Sequence, residues 1–273
     1  MGNLFISEMK KNFDEDKFLI IRNALSKNSC NQLTDAFEKF KKHPMFKLDT
    51  NPNNFSVINS HRLQCVLYSN EFYANSEDNF KQIKDWFNFT SSLLFPILDP
   101  LFDHLFSNLK SNWTIQRITT MHVFPGCPEQ QIHHDNDEDD NIIFITIPLH
   151  DTPIKMGPTI FYCYPQVKHL RKPLDEEGIS KGIYYNNLGY FNEFDEKNKE
   201  ILTNARRQYP MKYGDYTVHR DITIHHGAAN NSNKERKMLF IMVNTGNVSV
   251  IDFFDIKKGL ILADSKRYDK NGY

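Results

Sequence analysis

Two pairs of adjacent histidines carry most of the chemistry this chain could perform. The first lies in "QQIHHDNDEDDN" (Gln130 to Asn141) and the second in "DITIHHGAANNSNKER" (Asp221 to Arg236). In an extended strand, alternate side chains face the same way. His133 and Asp135 therefore share a face, and His134 turns opposite. An imidazole and a carboxylate at i and i+2 can bind one cation from a single strand. A distant histidine would complete a facial set of two histidines and one carboxylate. Such a set leaves positions open on the metal and suits non-haem Fe(II). Alone, H-x-D is a weak pattern. The acidic run after it suggests a calcium loop, but that loop needs Gly and Glu at its sixth and twelfth positions. Counted from Asp135 these are Asp140 and Thr146, so the run reads as a solvated turn.

Taken as one continuous strand, "YTVHRDITIHH" places Thr217, His219, Asp221, Thr223 and His225 on a polar face. Val218, Arg220, Ile222, Ile224 and His226 take the other, mostly apolar face. The polar face suits a site interior, so His225 is the expected ligand and His226 its outward neighbour. Arg236 follows and opens the apolar run "KMLFIMV". A guanidinium entering a core needs an anion, and a carboxylate held by both arms of the fork is its best partner.

The elements that would position these residues are helices first and short strands after. "KFLIIRN" (Lys17 to Asn23) predicts a strand. "SKNSCNQLTDAFEKFKKH" predicts a helix capped by Ser26 or Ser29. "SEDNFKQIKDWFNFTSSLL" predicts a second helix with Ser76 as its cap. From Trp113 the runs "WTIQRITTMHVF", "NIIFITIPLH", "PTIFYCY", "GDYTVHRDITIHH" and "KMLFIMVNTGNVSVIDFF" predict strands. This order argues for an α+β fold with a mainly β core, a sandwich or barrel. One domain over 1–273 is expected. It has an N-terminal helical part at about 1–110, a β core at about 111–256, and an irregular insertion at 166–210 that reads as a lid or a surface decoration.

The bulk numbers exclude several classes. The 273 residues are 40% hydrophobic and 25% charged, which is globular rather than disordered. A formal net charge of −1 gives no electrostatic footprint for nucleic acid or an anionic membrane. Four scattered cysteines form no C-x-x-C pair and read as buried thiols in a reducing compartment. "SSLLFPILDPLF" is cut by Pro96, Asp99 and Pro100 and is not expected to span a bilayer. No secretory leader is expected from "MGNLFISEMKKNF", so the expected location is cytoplasmic.

The distal segment "GDYTVHRDITIHHGAANNSNKER" resembles the phytanoyl-CoA dioxygenase family of Fe(II)/2-oxoglutarate oxygenases. Gly214, Asp215, His219, His225, Asn230, Ser232 and Arg236 fall in that family's register. "MGPTIFYCYPQVKH" matches its next strand at Gly157 and Pro158, and "FDEDKFLIIRNALSKNSCNQLTDAF" resembles its N-terminal strand and helix. Some members carry Ser two residues after the distal histidine, where this chain has Gly227. The resemblance implies a double-stranded β-helix, a jelly-roll or cupin-like barrel, with flanking helices. It implies that His133, Asp135 and His225 bind Fe(II), and that Arg236 holds the far carboxylate of 2-oxoglutarate. Thr146 and Thr120 are expected to add contacts to that co-substrate, and His219 either to support the ligands or to line the substrate space. The implied reaction consumes O₂, releases succinate and CO₂, and hydroxylates an aliphatic C–H bond of a small molecule, with ascorbate as a stimulant. The competing readings are a peptidyl or protein hydroxylase of the same superfamily and a non-enzymatic metal-binding jelly-roll protein.

Overall fold

The computed structural model describes residues 13, 15–43, 57–59, 61–69, 81–106, 114–130, 132–135, 142–167, 196–245 and 261–262. The first strand, β1 (Phe18–Arg22), buries four of its five residues. It leads into helix α1 (Lys27–Lys42), which starts where Ser26 Oγ accepts a hydrogen bond from the Ser29 N–H at 3.0 Å. Such a cap contributes about 1 kcal/mol. Cys30, Leu33, Ala36, Phe37 and Phe40 bury one face of α1 at helical spacing.

Two strands follow, β2 (Val57–Asn59) and β3 (Arg62–Ser69), and then helix α2 (Lys81–Phe106). The helix runs through Pro96 and Pro100, well past the Leu94 end expected from sequence. Each proline removes a helical N–H, but Leu94, Ile97 and Leu98 lie buried along this stretch and hold it against the sheet. The Ser76 cap expected for it lies outside the described residues. Among the described residues no helix is long and apolar enough to cross a membrane.

The remaining strands are β4 (Thr114–Val123), β5 (Ile142–Pro148), β6 (Thr159–Tyr162), β7 (Arg206–Gln208), β8 (Tyr216–Arg220), β9 (His225–Gly227), β10 (Arg236–Asn244) and β11 (Ile261–Leu262). Short helices α3 (Tyr164–Val167) and α4 (Glu196–Ala205) lie between β6 and β7. The strands form two antiparallel sheets. The larger has the order β11-β1-β8-β5-β10-β4-β3-β2 and the smaller β7-β6-β9. The N-terminal part thus contributes strands, not only helices, to the main sheet. Of the expected lid, 168–195 lie outside the described residues, and its end forms α4 and β7.

The two faces of the large sheet have different jobs. Leu19, Ile21, Cys65, Leu67, Ile118, Ile143, Ile145, Ile147, Tyr216, Val218, Leu239, Ile241 and Val243 join α1 and α2 in the main core. The alternate residues point the other way, toward the small sheet. Phe18 of β1 stacks on Phe161 of β6 at 4.6 Å between ring centroids and ties the two sheets together. The outer face of the small sheet is covered by a second core of Ile160, Tyr162, Cys163, Val167, Leu202, Ala205, Ile224 and Ala228. The functional side chains lie between the sheets. All four cysteines are buried and none is in a disulfide.

Candidate metal centre

His225 opens β9 and pairs with His133, which approaches as an isolated antiparallel bridge. The two residues exchange both backbone bonds, at 2.9 and 2.8 Å. A directly paired couple presents its side chains on one face, and the two rings lie 4.6 Å apart. Asp135 is fixed two residues on, where its N–H donates to the Asp221 carbonyl at 3.0 Å. Its carboxylate lies 3.9 Å from His133 Nε2 and 3.7 Å from His225 Nε2. All three ligand atoms fall within 4.8 Å of one another. Donors at right angles around a metal at about 2.1 Å stand about 3 Å apart, so small shifts of these side chains toward one another would close the set.

The electrostatics favour the metal-binding protonation states. Burial alone would raise the Asp135 carboxyl, but the facing rings of His225, His219 and His133 outweigh it and hold it well below the usual carboxylate range. Burial lowers the His225 imidazole, which favours its neutral form. Its Nδ1 lies 2.8 Å from the Thr223 carbonyl, which can only accept, so the ring proton sits on Nδ1. Nε2 then offers its lone pair to the metal, the arrangement typical of histidine ligands.

The sequence argument reached His225 by treating 217–225 as one strand. The structure divides it. β8 ends at Arg220, the chain turns where Thr223 N–H donates to the Arg220 carbonyl at 3.0 Å, and β9 begins in the other sheet. Alternation still holds within each piece. His225 faces inward, while His226 pairs with Ile160, stacks near Tyr162 and lies 2.7 Å from Glu129 Oε1 through Nε2. Burial pushes His226 down to about 3, so it is a neutral donor to Glu129, on the opposite side from the metal ligands.

His219 also faces inward, at 1% exposure. It lies between Phe144 and Phe161, each 5.3 Å away between centroids, and its Nε2 is 3.6 Å from Asp135 Oδ2. A cavity lined by Ile20, Thr146, Thr159, Phe161, Thr217 and Met238 adjoins this cluster through Phe161, whose ring lies 6.0 Å from that of His225. Thr146 lines this cavity. Thr120 does not. It pairs with Leu239 and Cys65, both part of the helix-side core. The sheet itself stands between Thr120 and the site, so its expected contact to the co-substrate is not carried forward.

Arg236 is fully buried, and none of its three guanidinium nitrogens has a hydrogen-bond partner among the described residues. Burial and the neighbouring Arg62 push it down to about 9. A Cβ added at Gly227 would lie 3.2 Å from Arg236 Nη2 and 2.5 Å from Gln130 Oε1. The guanidinium thus ends beside β9, two residues along from His225. Asn230 and Ser232 serve to build the turn that delivers it. Asn230 Nδ2 donates to the Val123 and Lys234 carbonyls at 2.9 and 2.8 Å, and Ser232 donates to Asn230 Oδ1 at 2.7 Å. Gly214 and Asp215 lie away from the metal. Asp215 accepts from Arg22 Nη1, Asn23 N–H and Lys212 N–H and anchors the end of β1. Arg62 and Gln130 were not anticipated, because neither belongs to a recognisable spacing pattern. The acidic run Asp137 to Asp140 lies outside the described residues.

A model of the family described as Phytanoyl-CoA dioxygenase (PhyH) matches residues 13–238. No curated protein matches by sequence. Among solved structures, the fold is similar to the non-heme alpha ketoglutarate dependent epimerase SnoN from nogalamycin biosynthesis. That match has 12% identity and a TM-score of 0.56 over 89% of this chain and 84% of that one. The non-heme alpha ketoglutarate dependent carbocyclase SnoK, also from nogalamycin biosynthesis, is 14% identical at a TM-score of 0.55, covering 87% and 83%. AviO1 from Streptomyces viridochromogenes Tue57 is 15% identical at a TM-score of 0.56, covering 89% and 96%. SnoN has also been solved with Fe3+, alpha ketoglutarate and nogalamycin RO.

Proposed function

Since this chain belongs to the phytanoyl-CoA dioxygenase family, we propose that it is an Fe(II)- and 2-oxoglutarate-dependent dioxygenase that hydroxylates an aliphatic C–H bond of a small molecule. The observation that carries this reading is Arg236, a fully buried cation with no partner among the described residues. An uncompensated buried charge costs several kcal/mol, and a small dicarboxylate reaching from the metal would supply its anion. The two facing sheets, with His133 adding to the β9 edge, are read as a double-stranded β-helix.

In this reading His133 Nε2, Asp135 and His225 Nε2 would hold Fe(II). Bound there, it would supply the O₂-activating chemistry that converts 2-oxoglutarate to succinate and CO₂. Thr223 keeps the His225 proton on Nδ1, so no proton competes for the metal-binding nitrogen. Phe144, Phe161 and His219 pack around the ligands and exclude water from their inner side. Thr146 and Thr217 line the adjoining cavity and would offer their hydroxyls to the co-substrate there.

The test is anaerobic loading with Fe(II), then exposure to O₂ and 2-oxoglutarate with a panel of small metabolites. Succinate formation is expected. Its absence with and without every panel member, in protein shown to hold iron, refutes the assignment. An epimerase and a carbocyclase share this fold, so isotopically labelled O₂ is needed to separate hydroxylation from these outcomes. A hydroxylated product carries the label, while an epimerised or cyclised one does not.

A further inference from the structure

Arg62 opens β3 and Arg236 opens β10. Both pair with Val123 of β4, one from each side. Directly paired residues share a face, so the two side chains leave the sheet in the same direction from strands roughly 10 Å apart. Arg62 is 1% exposed and Arg236 0%. Their surroundings do little to satisfy them. Arg62 Nη2 reaches the Pro128 carbonyl at 3.4 Å and the guanidinium also bonds the Cys127 thiol, but Arg62 Nε has no partner among the described residues. Arg236 Nε, Nη1 and Nη2 have none among the described residues. Gln130 Oε1, beside Gly227, accepts from the Gly227 N–H at 2.8 Å.

Two buried cations on one face repel, and each carries desolvated donors that only an acceptor-rich anion can satisfy. A carboxylate has about four lone-pair sites on two oxygens. One arginine can take it through its fork while a second donates to the remaining sites. Arg62 Nη2 lies 3.4 Å from the Pro128 carbonyl, and Arg236 Nη2 lies beside Gly227, which Gln130 bonds, so the two heads converge on the 127–130 segment rather than diverge. From the shared face, the shared burial and the unpartnered nitrogens, we infer that Arg62 and Arg236 form a two-arginine clamp on the far carboxylate of 2-oxoglutarate. Arg62 is then a co-substrate-positioning residue that no motif marks. This rests on the co-substrate assigned above. The burial of Arg62 argues against an anion on a bulky primary substrate as its partner.

The test compares 2-oxoglutarate with 2-oxopentanoate, which keeps the metal-chelating end and lacks the far carboxylate. Binding is measured by calorimetry on anaerobic Fe(II)-loaded protein, for wild type, Arg62→Met, Arg62→Lys and Arg236→Met. In Arg62→Met, 2-oxoglutarate affinity should fall by about ten- to a hundredfold, the range for a lost bond to a charged group. Affinity for 2-oxopentanoate should stay within about twofold, because its tail never met the arginine. Arg62→Lys should lie between, since it keeps the charge and loses the fork. Without ligand, the melting temperature of Arg62→Met should equal or exceed that of wild type, because a repulsive charge is gone. Wild-type 2-oxoglutarate affinity in Arg62→Met overturns the clamp alone, and so does an equal loss for both probes. Failure of the wild-type protein to bind 2-oxoglutarate overturns the co-substrate and the clamp together.

Discussion

Replacing His225 and His226 one at a time by Ala should damage the protein in two different ways. His226 is fully buried, pairs with Ile160, stacks near Tyr162 and donates to Glu129. Removing a buried ring of this size leaves a cavity, and truncations of comparable side chains cost about 2–4 kcal/mol. At roughly 2–4 °C per kcal/mol for a chain of this size, the melting temperature should drop by about 4–16 °C. The metal ligands face the other way, so iron content per folded molecule should stay near wild type. His225→Ala also loses a buried ring and its hydrogen bond to the Thr223 carbonyl, but its signature lies in the response to metal. A ligand present at a hundred times its Kd stabilises the folded state by about 2.7 kcal/mol. Wild type and His226→Ala should both show that shift on adding Fe(II), and His225→Ala should not. The assays are thermal denaturation with and without anaerobic Fe(II), iron analysis after desalting, and succinate production. An iron-dependent shift that survives in His225→Ala and vanishes in His226→Ala would refute both the ligand assignment and the register behind it.

Arg236→Met should lower 2-oxoglutarate affinity by about 1.5–3 kcal/mol while leaving Fe(II) affinity intact. Calorimetry for each ligand checks both halves, and unchanged 2-oxoglutarate binding would make Arg236 a purely structural residue. Gly157→Ala should destabilise the fold by about 2 kcal/mol or more. Gly157 sits at φ +74, and a Cβ there would come within 2.3 Å of the Ala229 carbonyl oxygen, in a loop that shapes the turn leading to Arg236. Urea denaturation checks it, and a wild-type midpoint would show that the two loops separate freely. Changing Asp137, Glu138, Asp139 and Asp140 together to Asn or Gln should leave iron affinity unchanged. Loss of iron in folded protein would show that the carboxylate ligand was misassigned.

Strand alternation is a local property, so much of the candidate metal centre was legible in the sequence. His133 and Asp135 sit two apart on an extended segment, and parity told His225 from His226. Helix α1 was legible for a similar reason, since its cap and its apolar stripe lie within sixteen residues. The sequence was silent wherever the deciding partner was far along the chain. β3 was missed because "RLQCVLYS" becomes a strand by pairing with β4 some fifty residues on. Thr120 and Thr146 look equivalent as residues in apolar strands, but pairing with Leu239 sends one to the helices, and pairing with Thr217 sends the other into the interior. The run from Thr217 to His225 reads as one strand. In the fold it is two strands in two sheets, because a turn at Asp221 carries the chain from one sheet to the other. The sequence alone determined which residue types could bind a metal and an anion. Only the tertiary structure decided that β9 brings His225 to His133, that Asn230 holds the turn before Arg236, and that Arg62 stands beside it across Val123. Those approaches are made by hydrogen-bonded strands distant in sequence, and no local pattern encodes which strand a residue will meet.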